Sequence, residues 1–252
     1  LYILLKSVFL YDFMIKSIVI IPTYNEAENV IEIINKVLSL PVSFDILIVD
    51  DNSPDGTASL VNELIRKIDN KVYIINRPTK AGLGKAYKEG FLWALEKQYK
   101  YIFEMDADFS HDPNDLIRIF NNLTDYDVVI GSRYVDGINV VNWPLSRIIL
   151  SYFASIYSRI VTGMPVKDAT SGFVGYKSKV LKSIDLKSLV FNGYAFQIEL
   201  KFKSYLNKFK ILEIPIIFKD RVYGDSKMNS SIIFEAVLGL ITMRLKSFFK
   251  RL

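Results

Sequence analysis

Short runs of Val, Ile and aromatic residues alternate with longer stretches of helical character through the first half of the chain, and this alternation constrains the fold more than any other feature. The runs are Ser17–Pro22 (SIVIIP), Asp45–Asp50 (DILIVD), Lys71–Asn76 (KVYIIN), Lys100–Met105 (KYIFEM) and Asp127–Gly131 (DVVIG). Each is continuously apolar rather than alternating, which is the pattern of a strand buried on both faces of a parallel sheet. Parallel neighbours need a crossover, and helical segments from about Glu26, Thr57, Gly82 and Pro113 supply it. Asp112 and Pro113 read as N-cap and first helical residue, with Asp115 adding acid to the first turn. The expected fold is α/β: a mostly parallel central sheet with flanking helices.

After Gly131 the pattern loosens into helices at Pro144–Val161 and Gly193–Leu206 and strands at Phe173–Tyr176 and Ile211–Phe218. No repeat or linker separates the halves, so residues 17–228 read as one domain whose second half supplies the other wall of a site. Residues 1–16 read as an N-terminal extension broken by Lys6, Asp12 and Lys16. Met14 leaves two readings open for residues 1–13, an alternative start or an amphipathic segment. Residues 229–252 read as an amphipathic helix with Arg244, Lys246, Lys250 and Arg251 gathered at its end. Such a helix suits a membrane interface, and packing on the core is the alternative. No stretch reaches the roughly 20 apolar residues of a span.

Composition removes several chemistries. With no cysteine and one histidine, His111, the chain cannot build a thiolate nucleophile, a disulfide or a Cys/His zinc site. A metal site must use oxygen ligands, which favours Mg²⁺ or Mn²⁺. The net charge of +5 comes from interspersed rather than clustered residues, so no nucleic-acid partner is expected.

In an open α/β sheet, ligands bind beyond the carboxyl ends of the strands. The loops there carry Pro22, Tyr24, Asn25 and Glu26 after the first run, Asp50, Asp51 and Asn52 after the second, and Asp106, Ala107 and Asp108 after the fourth. A D-x-D on such a turn can direct two carboxylates at one divalent cation that also grips a diphosphate. TKAGLGKAYKEG does not fit the Walker pattern, with Thr79 and Ala86 at two required positions, nor the dinucleotide fingerprint, with Tyr87 at a third. Its glycines shape a helix entry. Arg133, Arg147, Arg221 and Lys227 near loop ends are candidate phosphate ligands.

Taken together, IVIIPTYNEAENV, LIVDDNSPDGT, DADFSHDP, GSRY, NWPLSR, SGFVGYK, GYAFQIEL and DRVYGDSKM resemble, in order, the polyprenol (dolichyl) phosphate mannosyltransferases among the family 2 glycosyltransferases. The resemblance runs from about Ile18 to Met228 and implies a GT-A fold. It implies a nucleotide-sugar site of Pro22, Tyr24, Glu26, Val49 and Asp51, and a divalent metal on Asp106 and Asp108, with Ala107 touching the donor. Some relatives place a glutamine ligand where Ser110 stands, so Ser110, a water or a donor oxygen are candidates for the third ligand. Arg221 and Lys227 would clamp the diphosphate, and Arg133, Arg147 and Ser151 would receive the lipid phosphate. The implied reaction is metal-dependent transfer of mannose from GDP-mannose to a polyprenyl monophosphate with inversion, catalysed chiefly through Asp108, Arg133, Arg221 and Lys227.

A phosphate monoester has its second pKa near 6, so no general base is required, and His111 is expected to shape the metal loop. The alternative is a polyprenyl phosphate glucosyltransferase using UDP-glucose. A sugar-nucleotide pyrophosphorylase would need a basic Gly-rich loop where acidic PTYNEAENV stands. The expected setting is peripheral, on the cytoplasmic face of a membrane.

Overall fold

A computed structural model describes residues 16–68, 70–191, 193, 195–220 and 230–249, with residues 230–236 described by their backbone alone. The strands are β1 (Ser17–Thr23), β2 (Asp45–Asp50), β3 (Val72–Asn76), β4 (Tyr101–Glu104), β5 (Val128–Ser132), β6 (Val140–Val141), β7 (Val174–Lys177), β8 (Ile211–Pro215) and β9 (Phe218–Lys219). The helices are α1 (Val30–Leu38), α2 (Thr57–Ile65), α3 (Leu83–Glu96), α4 (Asp115–Asn122), α5 (Leu145–Thr162), α6 (Ser178–Ser183), α7 (Ala195–Leu206) and α8 (Ser230–Phe249).

The main sheet runs β3-β2-β1-β4-β7-β5-β8 and is parallel except for β7, which lies antiparallel between β4 and β5. Alternate residues of each strand enter opposite cores. Ile18, Ile20, Leu47 and Val49 join Tyr87, Phe91 and Phe202 on one face; Val19, Ile21, Ile46 and Ile48 join Ile33, Ile34 and Phe120 on the other. Both faces are dry, which is why the strands read as unbroken apolar runs. Strands β1, β2, β4, β5 and β8 therefore open their carboxyl ends, and β7 its amino end, onto one edge.

Two expected helix starts move. Helix α1 begins at Val30, because the Glu26 and Ala27 N–H groups are held instead by Thr57 Oγ1 and Asp55 Oδ2, each at 3.0 Å. Helix α4 begins at Asp115, because Asp112 Oδ1 accepts the Asn114 N–H at 2.9 Å and tightens the preceding residues into a turn. The expected Ile211–Phe218 strand divides at Pro215, which has no N–H to extend the ladder. The chain then leaves the main sheet, and β9 pairs with β6. Helix α8 packs on α5, where the Tyr157 hydroxyl donates to the Val237 carbonyl at 2.8 Å. No helix among the described residues is long and apolar enough to cross a membrane.

Candidate active site

The turns after β1 and β2 lock to each other. Asp50, itself buried, accepts from Thr23 Oγ1 at 2.7 Å, Ser53 N at 2.8 Å and Ser53 Oγ at 2.6 Å, so this carboxylate builds the loop. Asn25 and Asn52 take left-handed backbone, φ 59° and 58°, as Asn tolerates at such turns. Asp51 is gripped from beyond β3: Arg77 donates to one oxygen, and Ala81 and Gly82 N–H donate to the other at 3.1 and 3.2 Å. Lys80 lies 3.7 Å from the Tyr24 ring centroid. Glu26 accepts from Asn29 at 3.0 Å. Pro22 is half-buried on β1, whereas the Val49 side chain points into the core and leaves its main chain toward the edge.

The D-x-D turn follows β4. Ala107 packs into the core while Asp106 keeps 35% of its side-chain surface accessible. Asp108 Oδ1 accepts the Ser110 N–H at 3.1 Å, and Phe109 between them has φ 58°. Ser110 is buried, and its Oγ has no hydrogen-bond partner among the described residues. His111 stacks on Phe173 at 4.8 Å and meets Phe218 edge-on at 5.2 Å. Burial pushes its pKa down to about 4 against the opposing charge of Asp108, so the ring is neutral near pH 7. Its Nδ1 accepts the Asp106 N–H at 3.4 Å. These contacts make the ring a wedge under the turn.

Across the edge, Arg133 leaves β5 into a fork. Its Nε and Nη2 donate to the two oxygens of Asp168 at 2.8 and 2.6 Å, its own N–H donates to Asp168 at 2.9 Å, and Nη2 also reaches Thr170 Oγ1 at 2.8 Å. Burial acts to raise the Asp168 pKa, but the Arg133 charge and hydrogen bonds outweigh it and hold the carboxyl below its ordinary value. Arg147 lies 4.1 Å from the Trp143 ring and donates to Asp220 at 2.8 Å. Ser151 Oγ accepts from the Tyr134 hydroxyl at 2.8 Å.

Asp106, Asp108, Arg133, Arg147 and Ser151 line one cavity of about 340 Å³. Its remaining wall is largely apolar, with Leu150, Phe153 and Tyr157 from α5 and Val237 and Leu240 from α8. Pro22, Tyr24, Glu26, Val49, Asp51, Ala107 and Ser110 sit at the same sheet edge but outside this cavity. Arg221 and Lys227 lie outside the described residues, as do residues 1–15.

Sequence reading missed Asp168 altogether and missed a buried polar group beneath the cavity. Glu104 and Lys201 are both inaccessible to solvent. Lys201 donates to the Ser171 carbonyl at 2.7 Å and to Gln197 Oε1 at 3.2 Å. Burial raises the Glu104 pKa and lowers that of Lys201, while the charge of each opposes the shift of the other. The signal was in α7: Glu199, Lys201 and Lys203 are spaced by two, so they point about 200° apart in succession and cannot share one solvated face.

The chain matches the glycosyl transferase family 2 model over residues 18–185. It is 44% identical over 223 residues to a polyprenol monophosphomannose synthase of Mycolicibacterium smegmatis, covering 88% of this chain and 84% of that protein. It is 40% identical over 225 residues to an undecaprenyl-phosphate mannosyltransferase of Micrococcus luteus, covering 89% and 92%. Among solved structures, mannosyl-3-phosphoglycerate synthase from Rubrobacter xylanophilus superposes with a TM-score of 0.68 at 18% identity, covering 96% of this chain and 77% of that one. Glucosyl-3-phosphoglycerate synthase from Mycobacterium tuberculosis, solved with Mn²⁺, UDP and glucosyl-3-phosphoglycerate, gives 0.63 at 15% identity, covering 92% and 81%. The sheet order, the carboxylates at its open edge and these matches lead to one conclusion: the chain is a glycosyltransferase of GT-A fold and belongs to glycosyl transferase family 2.

Proposed function

We propose that the protein transfers mannose from GDP-mannose to a polyprenyl monophosphate. One observation carries this reading: a single cavity is lined by two carboxylates, two guanidinium groups and the apolar faces of two helices. An acceptor with an anionic head and a long hydrocarbon tail needs those surfaces together, and a soluble sugar acceptor has no use for the apolar wall. The names of the two mannosyl relatives support the same acceptor and sugar.

The D-x-D turn suits a hard divalent ion. It offers two carboxylates and a buried hydroxyl, Ser110 Oγ, that lacks a partner among the described residues. No cluster of three or more His, Cys, Asp or Glu side chains forms a metal cage among those residues, so diphosphate oxygens and water would complete the shell. Asp106, Asp108 and Ser110 would hold Mg²⁺ or Mn²⁺, whose charge would offset that developing on the departing nucleoside diphosphate.

The remaining work falls to the chain's own groups. Arg133, aimed by Asp168, and Arg147, backed by Trp143, hold and orient the lipid phosphate, with Ser151 beside them. The bound phosphate monoester is largely dianionic at neutral pH, so the neutral, buried His111 is not needed as a base. Displacement from the face opposite the diphosphate inverts the anomeric centre. Tyr24, Glu26 and Asp51 serve the nucleoside, and Arg221 and Lys227 close on the diphosphate.

The tail requires access from a bilayer. Leu145, Ile149 and Ile160 form an exposed stripe on α5, and Leu238, Ile241, Leu245 and Phe248 form one on α8, beside the helices' contribution to the cavity. Both stripes have helical spacing yet face outward, which suits an interface rather than a core.

The test is a donor panel of GDP-mannose, UDP-glucose and UDP-N-acetylglucosamine with a polyprenyl phosphate and Mn²⁺, with lipid product read by mass spectrometry. Mannosyl product from GDP-mannose is expected. Product from a UDP sugar alone would replace the mannose assignment.

A further inference from the structure

The GYAFQIEL segment is one of those that carry the sequence resemblance but has no part in the mechanism above, and its glutamine stands in the cavity wall. Gln197, in the first turn of α7, is 1% exposed and lines the cavity with Gly172 and the charged residues. One turn on, Lys201 donates to Gln197 Oε1 at 3.2 Å and to the Gln197 and Ser171 carbonyls at 3.3 and 2.7 Å. An ammonium has donors only, so this contact fixes which end of the amide is oxygen and turns Nε2 away from Lys201.

Nε2 has no hydrogen-bond partner among the described residues. One of its two N–H groups leans toward Glu104, whose ionised form it favours as a hydrogen-bond donor, although no bond of ordinary geometry closes between Nε2 and Glu104 Oε1. Its other side faces Gly172, also in the cavity wall: a Cβ built on Gly172 would find only Nε2 within 4 Å, at 3.8 Å. The second N–H, buried and left without an acceptor, is costly, and its place in the cavity wall points to a ligand oxygen.

Position narrows the ligand. Through Lys201 the amide is tied to Ser171, next to the Thr170 that holds Arg133. Through Glu104 it is tied to β4, the strand that delivers Asp106. Gln197 therefore stands between the acceptor-side cations and the D-x-D turn, where the transferred group must pass. We propose that Gln197 Nε2 donates a hydrogen bond to a hydroxyl of the transferred hexose and that Lys201 is a positioning residue that orients the amide. This rests on the sugar-transfer reading of the same cavity.

The test combines Gln197→Leu and Lys201→Met with GDP-mannose, its monodeoxy analogues at each ring hydroxyl, and GDP alone as inhibitor. In the wild type, one monodeoxy donor should lose about tenfold or more in kcat/KM. Gln197→Leu should lose a similar factor on GDP-mannose and should no longer distinguish it from that analogue. GDP inhibition should stay within about twofold of wild type, since GDP carries no hexose and reports an intact nucleotide site. Lys201→Met should show the same loss of discrimination to a smaller degree. If GDP inhibition weakens in parallel, or if Gln197→Leu keeps every deoxy penalty of the wild type, the contact is overturned while sugar transfer stands. If the wild type transfers no sugar from any donor, the sugar-transfer reading falls and the contact with it.

Discussion

Both oxygens of Asp168 hold Arg133, so the guanidinium is fixed before any ligand arrives. Because Asp168 is 0% and Arg133 7% exposed, removing one partner leaves the other's charge buried and uncompensated. Asp168→Asn should therefore cost about 3 kcal/mol of folding stability at neutral pH, measured by urea denaturation. The folded-state pKa of Asp168 lies below its unfolded value, so its stabilisation is present above about pH 4 and is lost as pH falls through the lower, folded-state value. The gap between wild type and Asp168→Asn should hold from neutral pH down to mild acid and then close. A gap that widened toward acid would contradict the assigned direction. Asp108 carries a different burden, because its carboxylate faces the cavity and would meet the metal. Asp108→Ala should lower kcat by at least ~10²-fold, measured as lipid-linked product per unit time, with thermal unfolding close to that of wild type. Unchanged turnover would remove the D-x-D turn from the reaction.

Strands β1, β2, β4 and β5 were legible because burial on both faces selects short apolar runs, and the half-buried edge strand β3 because its run is short, rich in Ile and aromatic residues and bounded by turn residues. Strands β6 and β9 were not legible, since two-residue pairings leave no periodicity to read. The insertion of β7 against the grain was equally hidden, because strand direction depends on a route through space that local pattern does not record. Asp106, Asp108, Arg133, Arg147 and Ser151 could be named from motifs, and the structure gathers them around one cavity. Asp168 and Lys201 could not, because their roles exist only where distant segments meet. The close packing of β7 provides a test at this scale. A Cβ on Gly175 would stand 2.5 Å from Ile119 Cγ2 and 3.0 Å from the Phe103 ring, so α4 and β4 meet over a strand with no side chain there. Gly175→Val should destabilise by about 2 kcal/mol through overpacking, read as a lowered urea midpoint with unchanged slope. A neutral effect would mean that α4 is free to shift away from the sheet.

At the scale of the whole molecule, two forces can hold the protein on a bilayer, and they separate by their response to salt. The net charge of +5 attracts anionic lipid, but at physiological ionic strength exposed charges are screened beyond about 8 Å. The outward stripes of α5 and α8 bury apolar area instead, and Ile160 and Phe248 within them are 76% and 68% exposed. Burying a large apolar side chain is worth about 1.5–3 kcal/mol, against about 1 kcal/mol for each basic residue held near an anionic surface. The apolar contribution should therefore dominate once salt reaches physiological strength. In flotation with vesicles containing anionic lipid, raising salt should weaken binding only in part. The double substitution Ile160→Asp with Phe248→Asp should abolish it, while leaving transfer to a short-chain, water-soluble prenyl phosphate within about threefold of wild type, because that acceptor needs no bilayer and neither side chain lines the cavity. Loss of activity on both acceptors would place these side chains in the catalytic cavity rather than on a docking face. Binding abolished by salt alone would assign the attachment to charge.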